Sequence, residues 1–170
     1  MRVPARSGRG GIMTGVTRRM GNRIVEFRPP RIAFAFLAGA TLIHAVWPGD
    51  GLHVFSSPLA AAIPGVAGFV IMMQAWWQFR VRDNAICPTE ETTVLITDGI
   101  YRFTRNPMYL GVLLMLLAVA LFVGTLPFFA VVVAWYLVIE LCFVAFEERK
   151  LSHAFGDEFD AYAKRVRRWL

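Results

Sequence analysis

Charged residues are absent from three long stretches of this 170-residue chain, 32–49, 51–79 and 106–139. A helix that crosses the hydrocarbon core of a bilayer needs about 20 consecutive, mostly apolar residues. Only 18% of the chain is charged, against about a quarter in typical soluble domains. A buried helical core in a soluble protein is the alternative, but a chain this short would need a more polar surface. The sequence therefore predicts an integral membrane protein.

Four transmembrane helices fit into these uncharged stretches. The first two stretches each accommodate one span, at about 32–47 and about 58–79. The third stretch is too long for one helix, and the turn-forming segment Gly124-Thr125-Leu126-Pro127 divides it. We therefore predict a helical hairpin there, with spans at about 107–123 and 127–146. The expected fold class is all-α.

The basic residues indicate which side of the membrane each connection faces. All 18 Lys and Arg residues lie in three segments, 1–31, 80–105 and 147–170, which contain eight, four and six of them. The other two connections, 48–57 and 124–127, contain none. Positively charged connections remain in the cytoplasm. With four spans, both termini and the loop 80–105 are therefore predicted to be cytoplasmic, and the tail 147–170 to contain an amphipathic helix.

The first 30 residues are predicted to form a basic, flexible arm before a membrane domain at 31–170. Contact with anionic lipid headgroups explains the charge of such an arm. The pair Arg18-Arg19 also allows an export signal, but the following residues do not continue a twin-arginine motif. No motif supports nucleic-acid binding. Because Cys87 and Cys142 match no metal-ligand spacing, we also predict no metal.

Polar and aromatic residues are concentrated just before the third predicted span. An extended run at 93–97 and a turn at Asp98-Gly99 lead to Asn106-Pro107, where the helix is predicted to begin. Asn is a good N-cap and Pro a good first helical residue, and a helix start favours anionic ligands. An ordinary transmembrane helix can begin in the same way. The concentration at one membrane boundary nevertheless favours a site that contains Tyr101, Arg105, Asn106 and Tyr109.

Acidic residues mark the end of the fourth predicted span. Glu140 lies within that span, where a charged carboxylate costs about 2.5–3.5 kcal/mol unless it faces protein or a cavity. Glu147 follows seven residues later, a spacing that places both side chains on one face of an α-helix, and Glu148 is adjacent. These carboxylates suit an ammonium or hydroxyl ligand. The alternative for Glu147 and Glu148 is a solvated helix end that pairs with basic residues such as Arg105.

Together, these segments resemble the integral membrane methyltransferases that include isoprenylcysteine carboxyl methyltransferase and the phospholipid N-methyltransferases. The resemblance covers about residues 80–168, with the pieces in the same order and spacing. The matching motifs are Gly99-Ile100-Tyr101, Arg105-Asn106-Pro107-Met108-Tyr109-Leu110-Gly111, Glu147-Glu148-Arg149-Lys150-Leu151, and Phe155-Gly156-Asp157-Glu158-Phe159 with Tyr162.

The resemblance implies S-adenosylmethionine as cofactor and a lipid-like methyl acceptor. It implies that the cofactor is bound by Thr93, Val94, Leu95, Ile96, Tyr101, Asn106, Pro107, Met108, Tyr109, Glu147 and Glu148. We expect catalytic roles for Glu140 and Arg105.

Two positions depart from the family pattern. Asn106 replaces the usual His before Pro, which removes any proton transfer at that position. The prenylcysteine enzyme holds its substrate carboxylate with an Arg about one turn before the acidic pair, and 141–146 contains none. The second departure disfavours prenylcysteine as the acceptor.

Three classes of function follow from these observations. The favoured class is a methyltransferase of the bacterial inner membrane that methylates a carboxyl or amine group of a lipid or lipid-like acceptor. A small multidrug-type transporter has an essential acid in an early span, but the first two predicted spans contain none. A four-span membrane protein without catalysis would share the fold and would not bind S-adenosylmethionine.

The charge distribution makes a direct prediction about topology. A reporter that is active only in the cytoplasm should be active when fused after Leu170, because the tail 147–170 carries six basic residues. The same reporter fused within 48–57 should be inactive. Activity only of a periplasmic reporter after Leu170 would contradict the four-span orientation.

Overall fold

The computed structural model describes residues 29–46, 53–82 and 94–170. The predicted arm up to residue 28, Trp47 and Thr93 lie outside the described residues. The helices are α1 (Pro29–Val46), α2 (Pro58–Val81), α3 (Pro107–Val123), α4 (Leu126–Phe155) and α5 (Asp157–Arg165), with a 3₁₀ turn at Gly99–Arg102. Since the described residues contain no β-strand beyond one bridge between His53 and Thr125, the all-α prediction is confirmed.

Three of these helices, α1, α2 and α4, are long and apolar enough to cross a membrane. Helix α3 is also apolar and is shorter, with 17 residues. Large apolar side chains such as Leu59, Ile63 and Leu141 are exposed on the outside of the helices, as expected of a surface that faces lipid. The protein is therefore a multi-pass membrane protein with three to four helices that could span the bilayer.

Helix α4 is longer than the sequence predicted. The predicted span ended at residue 146, whereas the helix continues to Phe155 and stops at Gly156, which has a φ of 50°. Its middle section, Ile139–Val144, is a π-helix. The polar residues after 146 mark the end of the apolar segment but are good helix formers, so the helix extends beyond it.

The four long helices pack in the order α2, α3, α4, α1, so that α3 lies between α2 and α4, and α1 rests against α4. The largest buried cluster includes Leu116 and Ala120 from α3 and Trp135, Ile139 and Phe143 from α4. This packing brings the start of α3 next to the last turns of α4. We call this end of the bundle the basic end, because it carries the loop 94–106 and the arginine-rich tail.

The opposite end is closed by the predicted tight turn between α3 and α4. Gly124 caps α3 with a left-handed φ of 79°, and its carbonyl accepts a hydrogen bond of 2.7 Å from the Val54 amide. A Cβ at position 124 would lie 2.5 Å from Ser56 Cβ. Both the backbone conformation and the space therefore require glycine.

Helices α2 and α3 cross at two glycines. A Cβ on Gly68 would lie 2.6 Å from the Gly111 carbonyl oxygen, and a Cβ on Gly111 would lie 2.8 Å from the Gly68 carbonyl oxygen. The two backbones are thus in direct contact, as small residues permit at helix interfaces in membranes. This crossing fixes the start of α3, and with it the site described below.

Replacing either glycine of this crossing should separate the helices. We expect Gly68→Ala and Gly111→Ala each to destabilise the protein by about 1–3 kcal/mol, because the obstructing atoms belong to the backbone. The measurement is the thermal unfolding midpoint in detergent. Gly39→Ala in α1 is the matched control, since a Cβ there meets nothing within 4 Å. Equal unfolding midpoints for the unmodified protein and all three variants would show that the two helices are not in tight contact.

Candidate functional site

A tyrosine of α3 and a glutamate of α4 meet at the basic end. The Tyr109 hydroxyl donates a hydrogen bond of 2.9 Å to Glu147 Oε1, across 38 residues of sequence. The Tyr109 ring also packs edge-on against Trp135, with ring centroids 6.2 Å apart. The Trp135 indole Nε1 is buried and has no hydrogen-bond partner among the described residues. The Tyr109–Glu147 contact therefore lies beside a buried aromatic side chain at the end of the helix bundle.

Glu140 and Glu148 are joined by an arginine of the tail. Arg168 Nη1 lies 2.5 Å from Glu140 Oε1, while its Nε and Nη2 bind the two oxygens of Glu148 at 3.0 and 2.5 Å. The spacing of seven had predicted that Glu140 shares a helix face with Glu147. In the structure Glu140 shares its partner Arg168 with Glu148, and the segment Ile139–Val144 that contains Glu140 is a π-helix, which has more residues per turn than an α-helix.

Arg105 pairs with the same acidic group. Its Nη1 lies 3.1 Å from Glu148 Oε1, and its Nε is buried with no partner among the described residues. The pairing of Glu148 with Arg105 that the sequence left as an alternative is therefore present. Two guanidinium groups and two carboxylates form a compact ionic network, whereas Glu147 is held by the neutral hydroxyl of Tyr109.

The loop before α3 is fastened to the end of α2. Ile96 and Tyr101 are buried against Ala75, and Asp98 accepts two hydrogen bonds from Arg82 Nη2, at 2.8 and 2.6 Å. Of the predicted cofactor-binding run, Val94 is exposed, Leu95 is half-buried and Ile96 belongs to the core. The Ile96 side chain therefore serves packing against the end of α2.

Two tyrosines link this loop to α5. The Tyr162 hydroxyl donates a hydrogen bond of 2.7 Å to the Tyr101 carbonyl oxygen. Burial raises the pKa of Tyr162 to about 12. Burial, and then the charge of Glu147, raises the pKa of Tyr101 well above its usual value. Both hydroxyls are therefore protonated at neutral pH and remain hydrogen-bond donors.

Asn106 occupies the predicted N-cap position, and Pro107 is the first residue of α3. The Asn106 side chain does not cap the helix, contrary to the expectation from sequence. Its Nδ2 donates instead to the Arg168 carbonyl oxygen at 3.0 Å, because the tail runs alongside. The first N–H groups of α3 therefore lack the side-chain cap that Asn ordinarily provides. Met108 packs with Tyr101 in the loop cluster.

Four contributors to this end of the bundle were not predicted as site residues: Thr104, Tyr162, Arg168 and Trp169. Trp169 Nε1 donates to Glu140 Oε2 at 3.0 Å, and Thr104 Oγ1 donates to the Arg168 carbonyl oxygen at 3.0 Å. Charge balance could have indicated that Glu140 has a basic partner, since an acid within a span needs a cation. The sequence offered six basic residues in the tail and no means of choosing among them.

This arrangement provides both signs of charge at the edge of the membrane. The carboxylate of Glu147 can hold a cationic ligand, and the uncapped start of α3 can hold an anionic one. Aromatic and apolar side chains around Tyr109 limit the access of water. The site is therefore suited to a small zwitterionic ligand with an apolar partner.

The chain was compared with known proteins. Residues 59–158 match the family model described as phospholipid methyltransferase. An uncharacterized protein of Haemophilus influenzae is 44% identical over 63 residues, which is 37% of this chain and the whole of that protein. No solved structure matches. The family match covers more than half of the chain and includes Tyr109, Glu140 and Glu147, so the protein belongs to the phospholipid methyltransferase family.

Proposed function

We propose that this protein is an integral membrane methyltransferase that transfers the methyl group of S-adenosylmethionine to a lipid amine at the basic end of the bundle. The observation that carries the proposal is the hydrogen bond between Tyr109 and Glu147, which joins the two motifs of the family resemblance in space. Membership of a phospholipid methyltransferase family supports both the reaction and a lipid acceptor.

The residues at the basic end fit the chemical groups of S-adenosylmethionine. This cofactor carries a positively charged sulfonium and an ammonium group, together with a carboxylate. Glu147 would hold a cationic group, and the start of α3 after Asn106 would hold the carboxylate. Tyr101 and Met108, in one cluster beside α2, would border the remainder of the cofactor. The backbone of residues 94–96 would line the same side.

S-adenosylmethionine, when bound, supplies a methyl group activated by the positive charge of the attached sulfur. The protein must align an acceptor atom with that methyl group and exclude water. Tyr109 orients the Glu147 carboxylate, and the contact of Tyr109 with Trp135 fixes the tyrosine ring. A lipid can approach between the exposed apolar faces of the helices without leaving the bilayer.

The proposed acceptor is an amine-bearing phospholipid. Arg105 and Arg168 are both paired with glutamates, so neither presents an uncompensated positive charge to an acceptor carboxylate. An amine must lose a proton before methylation, and Glu140 is the proposed acceptor of that proton. We place Glu140 at the acceptor end, since its carboxylate accepts two protein hydrogen bonds and has further lone pairs available.

Loss of the Tyr109 hydroxyl should weaken cofactor binding. We expect Tyr109→Phe and Glu147→Gln each to raise the Kd for S-adenosylmethionine by about tenfold, since a hydrogen bond to a charged group contributes about 1.5–3 kcal/mol. The measurement is isothermal titration calorimetry of the protein in lipid nanodiscs.

Matched controls are available for both variants. Tyr136→Phe removes a hydroxyl from the same helix bundle, and Glu158→Gln neutralises an exposed acid of α5. Both controls should keep the Kd of the unmodified protein to within about twofold, because Tyr136→Phe retains the ring that packs on Trp169 and Glu158 is exposed. An unchanged Kd in Tyr109→Phe and Glu147→Gln would remove these residues from the site.

Glu140 is expected to act on the acceptor and not on the cofactor. Glu140→Gln keeps the size of the side chain and removes its charge. We expect this variant to bind S-adenosylmethionine normally and to lose most of its transfer of radiolabelled methyl groups to phosphatidylethanolamine in vesicles. Full methyl transfer by Glu140→Gln would reduce Glu140 to a structural acid between the helices.

A further inference from the structure

The backbone of Arg167 and Arg168 contacts the residues that lead into α3. The Arg105 amide donates to the Arg167 carbonyl oxygen at 3.0 Å. Thr104 Oγ1 and Asn106 Nδ2 both donate to the Arg168 carbonyl oxygen, each at 3.0 Å. The residues that lead into α3 are thus held by the backbone of the tail, more than 60 residues later in sequence.

The side chain of Arg168 turns towards α4. It forms a two-point contact with Glu148 and a third contact with Glu140, and about 39% of the side chain is exposed. The neighbouring Trp169 donates to the other oxygen of Glu140 and packs on Tyr136, with ring centroids 5.3 Å apart. One residue of the tail therefore contacts both chain segments from which the site is built.

Glu140 and Glu148 share one cation, and Arg105 contacts Glu148 alone. Without the Arg168 guanidinium group, Glu140 would retain a neutral indole donor and would repel Glu148. Removing one partner of a partly buried ion pair leaves the other charge uncompensated, and this is more costly than removing both.

We propose that Arg168 is a positioning residue of the methyl-transfer site, which holds Asn106 through its carbonyl oxygen and Glu140 and Glu148 through its guanidinium group. This inference rests on the proposed function. The carbonyl contact directs the Asn106 amide away from the helix cap and fixes the residue that leads into α3. The guanidinium contact keeps two of the three glutamates paired, and Glu147 remains with Tyr109.

The test compares cofactor binding by three single variants in lipid nanodiscs. Arg168→Ala keeps the carbonyl contact and removes the guanidinium group, and it should raise the Kd for S-adenosylmethionine by about tenfold, because repulsion between Glu140 and Glu148 would displace the neighbouring Glu147. Arg168→Lys keeps the charge but lacks the two-point geometry, so its Kd should be intermediate. Arg165→Ala, which removes an exposed arginine of the same tail, should bind like the unmodified protein.

A double variant separates positioning from simple attachment of the tail. Glu140→Gln added to Arg168→Ala should recover most of the lost affinity, because it removes the uncompensated charge. If Arg168 only attached the tail to α4, the second change would remove one more contact and weaken binding further. Size-exclusion profiles and thermal midpoints of the same samples verify that each variant is folded.

Three outcomes would overturn the positioning role of Arg168, and one of them would also overturn the proposed function. Saturable binding by the unmodified protein with an unchanged Kd in Arg168→Ala would overturn the positioning role and leave the proposed function intact. Further weakening in the double variant would overturn the positioning role as well. Absence of binding by the unmodified protein would overturn the proposed function and this inference together.

Discussion

The guanidinium group of Arg168 lies between two carboxylates of one helix, and the remainder of the basic end is arranged around this contact. Glu140 would be costly at the edge of a bilayer without a cation. The tail supplies that cation, and by reaching α4 it also brings its own backbone under residues 104–106. The tail therefore compensates the charge of Glu140 and, in the same arrangement, contacts the residues at the start of α3.

A second requirement is the close approach of α2 and α3. The contact of Gly68 with Gly111 places the first turn of α3 against α2, where the loop cluster of Tyr101 and Ile96 is attached. On its other side α3 packs against α4, so that Tyr109 reaches Glu147. The proposed site thus depends on helix packing along its apolar sides and on ionic pairing at its polar edge.

The sequence predicted those features that depend on local composition. Gaps between charges located the apolar helices, and the bounds of α3 agree with the structure because Pro107 and Gly124 are strong local signals. Contacts between distant segments could not be predicted in this way. The hydrogen bond of Asn106 and the shared partner of Glu140 and Glu148 both come from the tail, 20 or more residues away from either segment in sequence. No periodicity in the chain encodes these contacts.

Binding of S-adenosylmethionine at the basic end underlies the proposed methyl transfer. The most direct measurement is calorimetric titration of the unmodified protein in lipid nanodiscs with S-adenosylmethionine at concentrations up to about 1 mM, the upper end of common enzyme KM values. We predict saturable binding with one cofactor per chain. Absence of saturable binding over this range, by protein that is folded in the same nanodiscs, would contradict the assignment of this site and of the methyl-transfer function.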